Sequence, residues 1–340
     1  MFLDQVSELN QRKTKGGNIY PPWISRVLCD RSLHRGILKC LTIGLLTACQ
    51  QPPSATEPQT DPTQPTHAIE HAMGTSQVPF SPERVVVIDT TPLDAALALG
   101  IQPVGTIRYG APPGYLDDVV NEIEVVGEYN QPNLETILRL DPDLILGSKS
   151  ISARLYPGLS QIAPTVFNEG AGYDWDWKNN FRLFAEALGQ PEQAEQLLAD
   201  YQKQVEALKT SLDAPPQSIT VSVLVFTPQG LIAHTPMSFA GSVLQEIGFA
   251  RNSAQREDEQ FFVRFSREDL EGPDGDIIFL IHNPEWTSES VAALAKDPLW
   301  SQLSAVQRGA ICEVAGDVWG SGRSILAAQQ ILADVERCLN

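Results

Sequence analysis

From residue 84 onward the chain alternates between unbroken apolar runs and segments with helical spacing, and this sets the order of its elements. Arg84-Val85-Val86-Val87-Ile88-Asp89 is a β-branched run without polar alternation. Such a run suits a strand covered on both faces, as in a parallel sheet. Thr91 and Pro92 then supply an N-cap and a first-turn proline, which predicts a helix over 93–99 that Gly100 ends. Strands follow over 104–107 and, after Pro112-Pro113-Gly114, at 125–126. A short helix over 133–140 is broken by Asp141-Pro142-Asp143 ahead of a strand at 144–147.

The same grammar returns later. Ser266-Arg267-Glu268-Asp269-Leu270 leads through Gly272-Pro273-Asp274 into a strand over 276–281. A helix with an early Glu, a Pro-Asp turn and an apolar strand therefore occur twice, which predicts two lobes of one plan. Between them, residues 191–212 place Ala194, Leu197, Leu198, Tyr201, Val205 and Leu208 at helical spacing with no interior Gly or Pro. This predicts one helix roughly 30 Å long. Strands at 219–226 and 310–314 and a closing helix over 324–339 complete the pattern. The expected fold class is α/β, with two Rossmann-like lobes built on central parallel sheets and joined by a single long interlobe helix.

The N-terminus has a different character. Arg31, His34, Arg35 and Lys39 precede the apolar run from Cys40 to Leu46, which ends in Leu46-Thr47-Ala48-Cys49. Basic, apolar, then small is the order of a secretory signal, and the run is too short to span a bilayer. Leu-Thr-Ala-Cys resembles a bacterial lipobox, which implies lipidation at Cys49. Residues 50–66 are rich in Pro, Gln and Thr and read as an extended tether. The expected organisation is a leader over 1–48, lipidated Cys and tether over 49–73, a first lobe over 74–190, the interlobe helix over 191–212 and a second lobe over 213–340.

The 340 residues include 24 Lys and Arg against 42 Asp and Glu, a formal net charge of −18. No basic cluster outside the leader suits phosphate neutralisation, so nucleic acid is excluded as a partner. An anionic ligand would need a few arginines placed against the global field. The five cysteines show no CxxC spacing, which removes zinc-ribbon and thioredoxin readings. Cys312 and Cys338 are left open between a disulfide and two free thiols.

The ordered segments Pro82-Glu83-Arg84-Val85-Val86-Val87, Ala98-Leu99-Gly100-Ile101-Gln102-Pro103-Val104-Gly105, Pro132-Asn133-Leu134-Glu135 with Pro142-Asp143-Leu144-Ile145, and Asp297-Pro298-Leu299-Trp300 resemble one family. It is the helical-backbone class of ABC-importer substrate-binding proteins, particularly the ferric-siderophore and ferric-citrate receptors. The resemblance runs from Gly74 to the end of the chain. It implies a ligand cleft between the lobes, small closure motions, and docking on a permease dimer through one acid per lobe, here Glu135 and Glu268. It also implies a periplasmic or cell-envelope protein, anchored to the membrane by lipid, and a monomer.

A ferric siderophore brings its own iron ligands, so its receptor needs cationic donors and aromatic faces rather than a metal site. Ligands of open α/β lobes gather at the carboxyl ends of the strands. In the first lobe that rule, with the resemblance, selects Arg108, Tyr109, Lys149 and Arg154. In the second it selects Arg264, Trp319 and Arg323, with Gly320 and Gly322 permitting close backbone approach. No covalent cofactor, no protein metal site and no catalytic residue is expected: GxSxG, HExxH and P-loop spacings are missing, and His234 and His282 are too few for a bare-metal receptor. A cobalamin or haem receptor on the same scaffold stays open, as does a ligand-free lipid-anchored scaffold.

Overall fold

The computed structural model of the chain describes residues 65–108, 114–129, 131–170, 174–227, 230–256, 260–266, 269, 272–282 and 296–339. Cys49, Tyr109 and Glu268 lie outside these residues. The first element is an antiparallel hairpin of β1 (Thr66–His71) and β2 (Gly74–Pro79). The tether expected through residue 73 is thus overtaken by structure from Thr66. The reason is an apolar anchor the composition hid: Ile69 and Val78 are buried, and Ala72 N–H donates to the carbonyl of Phe167 at 2.9 Å.

Six strands form the first sheet, β3 (Val85–Val87), β4 (Gly105–Arg108), β5 (Glu124–Glu128), β6 (Gln131–Pro132), β7 (Leu144–Ser148) and β8 (Thr165–Asn168). Their order is β6-β5-β4-β3-β7-β8, parallel except for the β5–β6 pair. Val85, Val86 and Val87 are all buried at the centre, as an unalternated β-branched run requires. Helix α1 (Thr90–Ala98) starts earlier than expected, because the Asp89 carboxylate, not Thr91, accepts the N–H of Thr90. It ends at Gly100, whose φ of 74° lies in the left-handed region that glycine tolerates.

Helix α2 (Leu134–Arg139) is capped by Asn133, whose side chain accepts from Thr136 N–H at 3.1 Å. The Asp-Pro-Asp turn behind it is tied to the start of β3, since the Asp143 carboxylate accepts from Glu83 N–H and Arg84 N–H at 2.7 and 2.9 Å. Arg84 answers by donating to the carbonyls of Leu140 and Asp141, which makes it a structural arginine.

Helix α3 (Trp177–Ala187) leads into α4 (Pro191–Ser211), a helix of 21 residues and about 31 Å. Ala194, Leu198, Tyr201, Val205 and Leu208 form its buried stripe. Trp177 stands edge-on to Tyr201 at 5.1 Å and to Phe239 at 6.0 Å.

The second sheet comprises β9 (Thr220–Thr227), β10 (Gly230–His234), β11 (Ala250–Arg251), β12 (Phe262–Phe265), β13 (Ile277–His282) and β14 (Ile311–Ala315). The order β12-β10-β9-β13-β14 is parallel across β9, β13 and β14, while β10 runs antiparallel to both neighbours. Helix α5 (Phe239–Ile247), the short α6 (Gly316–Trp319) and the closing α7 (Ile325–Leu339) cover it. Helix α7 packs against α1 as well as α4 and α5, so the end of the chain returns to the first half.

Each sheet carries its own apolar core. Val86, Ile107, Ile145 and Phe167 belong to one, Leu224, Ile278, Leu280 and Trp300 to the other. The two cores make the molecule bilobed rather than one thick sheet. Cys312 and Cys338 are joined in a disulfide with a Cα separation of 5.9 Å, fastening β14 to the end of α7. No helix among the described residues is long and apolar enough to cross a membrane.

Candidate ligand-binding site

Arg108 is the last residue of β4, and Lys149 directly follows β7. One strand, β3, separates β4 from β7, which puts the two backbones about 10 Å apart along one edge at ~4.8 Å per strand step. Both cations stand at the carboxyl end of the first sheet, where open α/β folds bind ligands. Arg108 is more than half exposed and lies 3.9 Å from Glu128. An exposed pair at that distance holds the guanidinium only weakly, so it is available to a ligand. Lys149 is paired more closely with Glu169, at 2.9 Å and half exposed. Arg154 projects into solvent on the turn beyond.

Beside Arg108 a recess of about 260 Å³ is lined by Asp89, Thr90, Thr106 and Asn121, with Leu93 and Val125 as apolar wall. The Thr106 hydroxyl is buried there without a hydrogen-bond partner. Its place on the inner face of β4 was not legible in the sequence.

In the second half Arg264 is exposed on the outermost strand β12, its guanidinium 5.1 Å from the Phe262 ring. The other two expected contacts are placed differently. Trp319 was expected to offer a face to the ligand, but it is 1% exposed. Its ring stacks on Phe279 at 4.7 Å and its Nε1–H donates to Asp334 at 2.8 Å. The physical reason is that α6 begins directly after β14 and turns the indole inward, where its N–H finds a carboxylate on α7. Arg323 does sit where the two halves meet, yet it is buried and engaged, its charge bearing on the Tyr115 hydroxyl.

The halves touch through polar groups that sequence reasoning missed. Gly114 N–H donates to Asp317 at 2.5 Å, and Tyr115 O–H donates to Asp94 at 3.2 Å. Asp94, fully buried on α1, accepts the N–H groups of Leu326 and Ala327, each at 3.0 Å. Burial pushes its carboxyl up to about 6, against the pull of those hydrogen bonds. Burial, and then the neighbouring Asp94 charge, raises the Tyr115 hydroxyl as well. The available signal was a single acid inside the apolar stretch Leu93-Asp94-Ala95-Ala96-Leu97. A second tie joins Lys178 on α3 to Glu246 on α5 at 2.7 Å, both largely buried.

Glu135 is exposed in the first turn of α2, with Leu138, 61% exposed, one turn further along. That is the accessibility a docking acid requires. Among the described residues no group of three or more His, Cys, Asp or Glu is arranged to hold a metal ion. His234 is buried, which lowers its pKa to about 4, with Arg251 adding to the effect.

Comparison with known proteins agrees with this architecture. The periplasmic binding protein family matches residues 85–317. The probable siderophore-binding lipoprotein YfiY of Bacillus subtilis (strain 168) is 33% identical over 315 residues, covering 87% of this chain and 94% of its own length. The achromobactin-binding periplasmic protein of Dickeya dadantii (strain 3937) is 34% identical, covering 76% and 87%. Among solved structures, Staphylococcus aureus SirA complexed with staphyloferrin B superimposes with a TM-score of 0.72 at 27% identity, covering 81% of this chain and 99% of SirA. With two α/β sheets, separate cores and a family match over residues 85–317, this chain belongs to the periplasmic binding protein family.

Proposed function

We propose that the protein is the extracytoplasmic substrate-binding component of an ABC importer and that its cargo is a ferric siderophore of citrate or hydroxamate type. The observation that supports this reading is the accessibility of Arg108 and Lys149 at the carboxyl end of the first sheet, of Arg154 beyond them and of Arg264 on the second lobe, within a chain of net charge −18. Guanidinium and ammonium groups so placed suit the peripheral oxygens of a preassembled anionic iron complex. The relative named for siderophore binding supports a siderophore as the cargo.

In this reading the protein binds and does not catalyse, and it holds no cofactor of its own. Glu135 and Glu268 are the permease contacts, one on each lobe. Tyr109, next to Arg108 in the sequence, supplies an aromatic face for the ligand. Cys49 carries the lipid that anchors a monomer to the cell envelope through the Pro-, Gln- and Thr-rich segment after it, and the helix over 191–212 joins the lobes.

The test is a fluorescence titration of the purified protein with ferric citrate, a ferric hydroxamate, a ferric catecholate, cobalamin and haem. Saturable tryptophan quenching by an iron chelate is expected. Saturation by cobalamin or haem alone, or by nothing in the panel, overturns the proposal.

A further inference from the structure

We propose that Asp94 is a positioning residue that holds the Tyr115 turn of the first lobe and the Arg323 segment of the second in register across the cleft. This rests on the cleft being the ligand site, and it adds a residue that touches no ligand. Asp94 lies on α1 with no exposed surface. Both of its oxygens accept from α7, and Oδ2 accepts from the first lobe as well. From the second lobe they receive Leu326 N–H and Ala327 N–H, two first-turn donors of α7 that have no partner within their own helix. From the first lobe they receive Tyr115 O–H.

The carboxylate therefore caps a helix that begins more than two hundred residues later in the chain, and the positive end of that helix favours its charge. Ser324, at the head of α7, is buried against the same group. An ordinary cap would be a local Ser or Asp half in water; burying a whole carboxylate is costly unless it is well bonded. A carboxylate drawn from the other lobe fixes more than a helix end. Arg323 immediately precedes this segment, and its charge reaches Tyr115. Asp317 on α6 strengthens the join by accepting Gly114 N–H, so the turn at Gly114 and Tyr115 reaches the second lobe once directly, through Asp317, and once through the Asp94 carboxylate. The charged and titratable groups around the junction are Tyr115, Asp317 and Arg323.

The experiment uses the full chain with Asp94→Ala, Asp94→Asn and the control Val335→Ala, which removes buried volume from α7 away from the junction. Each is titrated with the iron chelate that the unaltered protein binds from ferric citrate, a ferric hydroxamate and a ferric catecholate. Asp94→Ala is expected to weaken binding at least tenfold, chiefly through faster release. Asp94→Asn, whose amide oxygen still accepts one donor, recovers most of the affinity, and Val335→Ala leaves it unchanged. Equal affinity in Asp94→Ala and the unaltered protein overturns the proposal and leaves Asp94 a helix cap. Hydrogen exchange without ligand gives an independent reading: in Asp94→Ala, or in Asp94→Asn if the alanine variant does not fold, the hydrogen-bonded amides of Gly114, Val119 and Val120 must accelerate together with those of Leu326 and Ala327. Acceleration confined to α7 sinks the coupling even where the protein binds no chelate at all, an outcome that would instead remove the proposed function.

Discussion

Replacing Trp319 with phenylalanine separates two roles that one side chain cannot hold together. The indole is 1% exposed, stacks on Phe279 at 4.7 Å and donates to the Asp334 carboxylate at 2.8 Å. Phenylalanine keeps part of the stack but loses the donor. A hydrogen bond to a charged group contributes about 1.5–3 kcal/mol, and its loss leaves one buried carboxylate oxygen unmatched. Arg337 and Gln330 still reach the other oxygen, at 3.2 and 3.4 Å, so the residue is not stripped of partners. The ring volume that neighbours do not refill costs about 1 kcal/mol more. The sum is roughly 3 kcal/mol, which lowers the thermal midpoint of a domain this size by roughly 6–10 °C. Circular dichroism melts report that shift, and a ligand titration below the transition reports affinity, which stays within about twofold. An unchanged midpoint with binding weakened tenfold would refute the placement of Trp319 in the core.

Reduction of the Cys312 to Cys338 bridge, or Cys338→Ser, removes a crosslink between residues 26 apart and is expected to cost about 3.5 kcal/mol by loop-closure entropy; urea unfolding with and without reductant measures it, and intact mass shows the two-hydrogen change. Arg108→Ala is expected to weaken chelate binding tenfold or more, as one charge-assisted contact is lost, whereas Glu135→Ala leaves binding in purified protein untouched and reduces cellular uptake. The pH dependence of Asp94 has a definite sign. Its folded pKa of about 6 lies above the ordinary 3.8, so the folded state holds the proton more tightly and this group's contribution is greatest below pH 3.8 and is lost as pH rises through 6, by about 3 kcal/mol. His234, lowered to about 4, acts oppositely, losing stability as pH falls. Subtracting the Asp94→Asn unfolding free energy from that of the unaltered protein between pH 4 and 7 cancels His234 and isolates the Asp94 slope; a flat difference refutes the assignment.

What the one-dimensional pattern could determine was whatever depends on neighbours in the chain. The Val85 to Val87 run, the stop at Gly100, the Asn133 helix before its Asp-Pro-Asp break and the 21-residue α4 all follow from side-chain period and local turn chemistry. The strand ends, and with them Arg108 and Lys149, were legible for the same reason. Tertiary structure decided which polar groups stay in water. Trp319 turned inward because a carboxylate fifteen residues later on α7 could receive its N–H, and Ile69 drew a polar segment into a hairpin because β8 was there to cover it. Asp94 became a cross-lobe acceptor only once α7 returned to α1. Burial and hydrogen bonding are satisfied by partners distant in the chain, and a sequence read locally shows a donor or an acceptor without showing what it will meet.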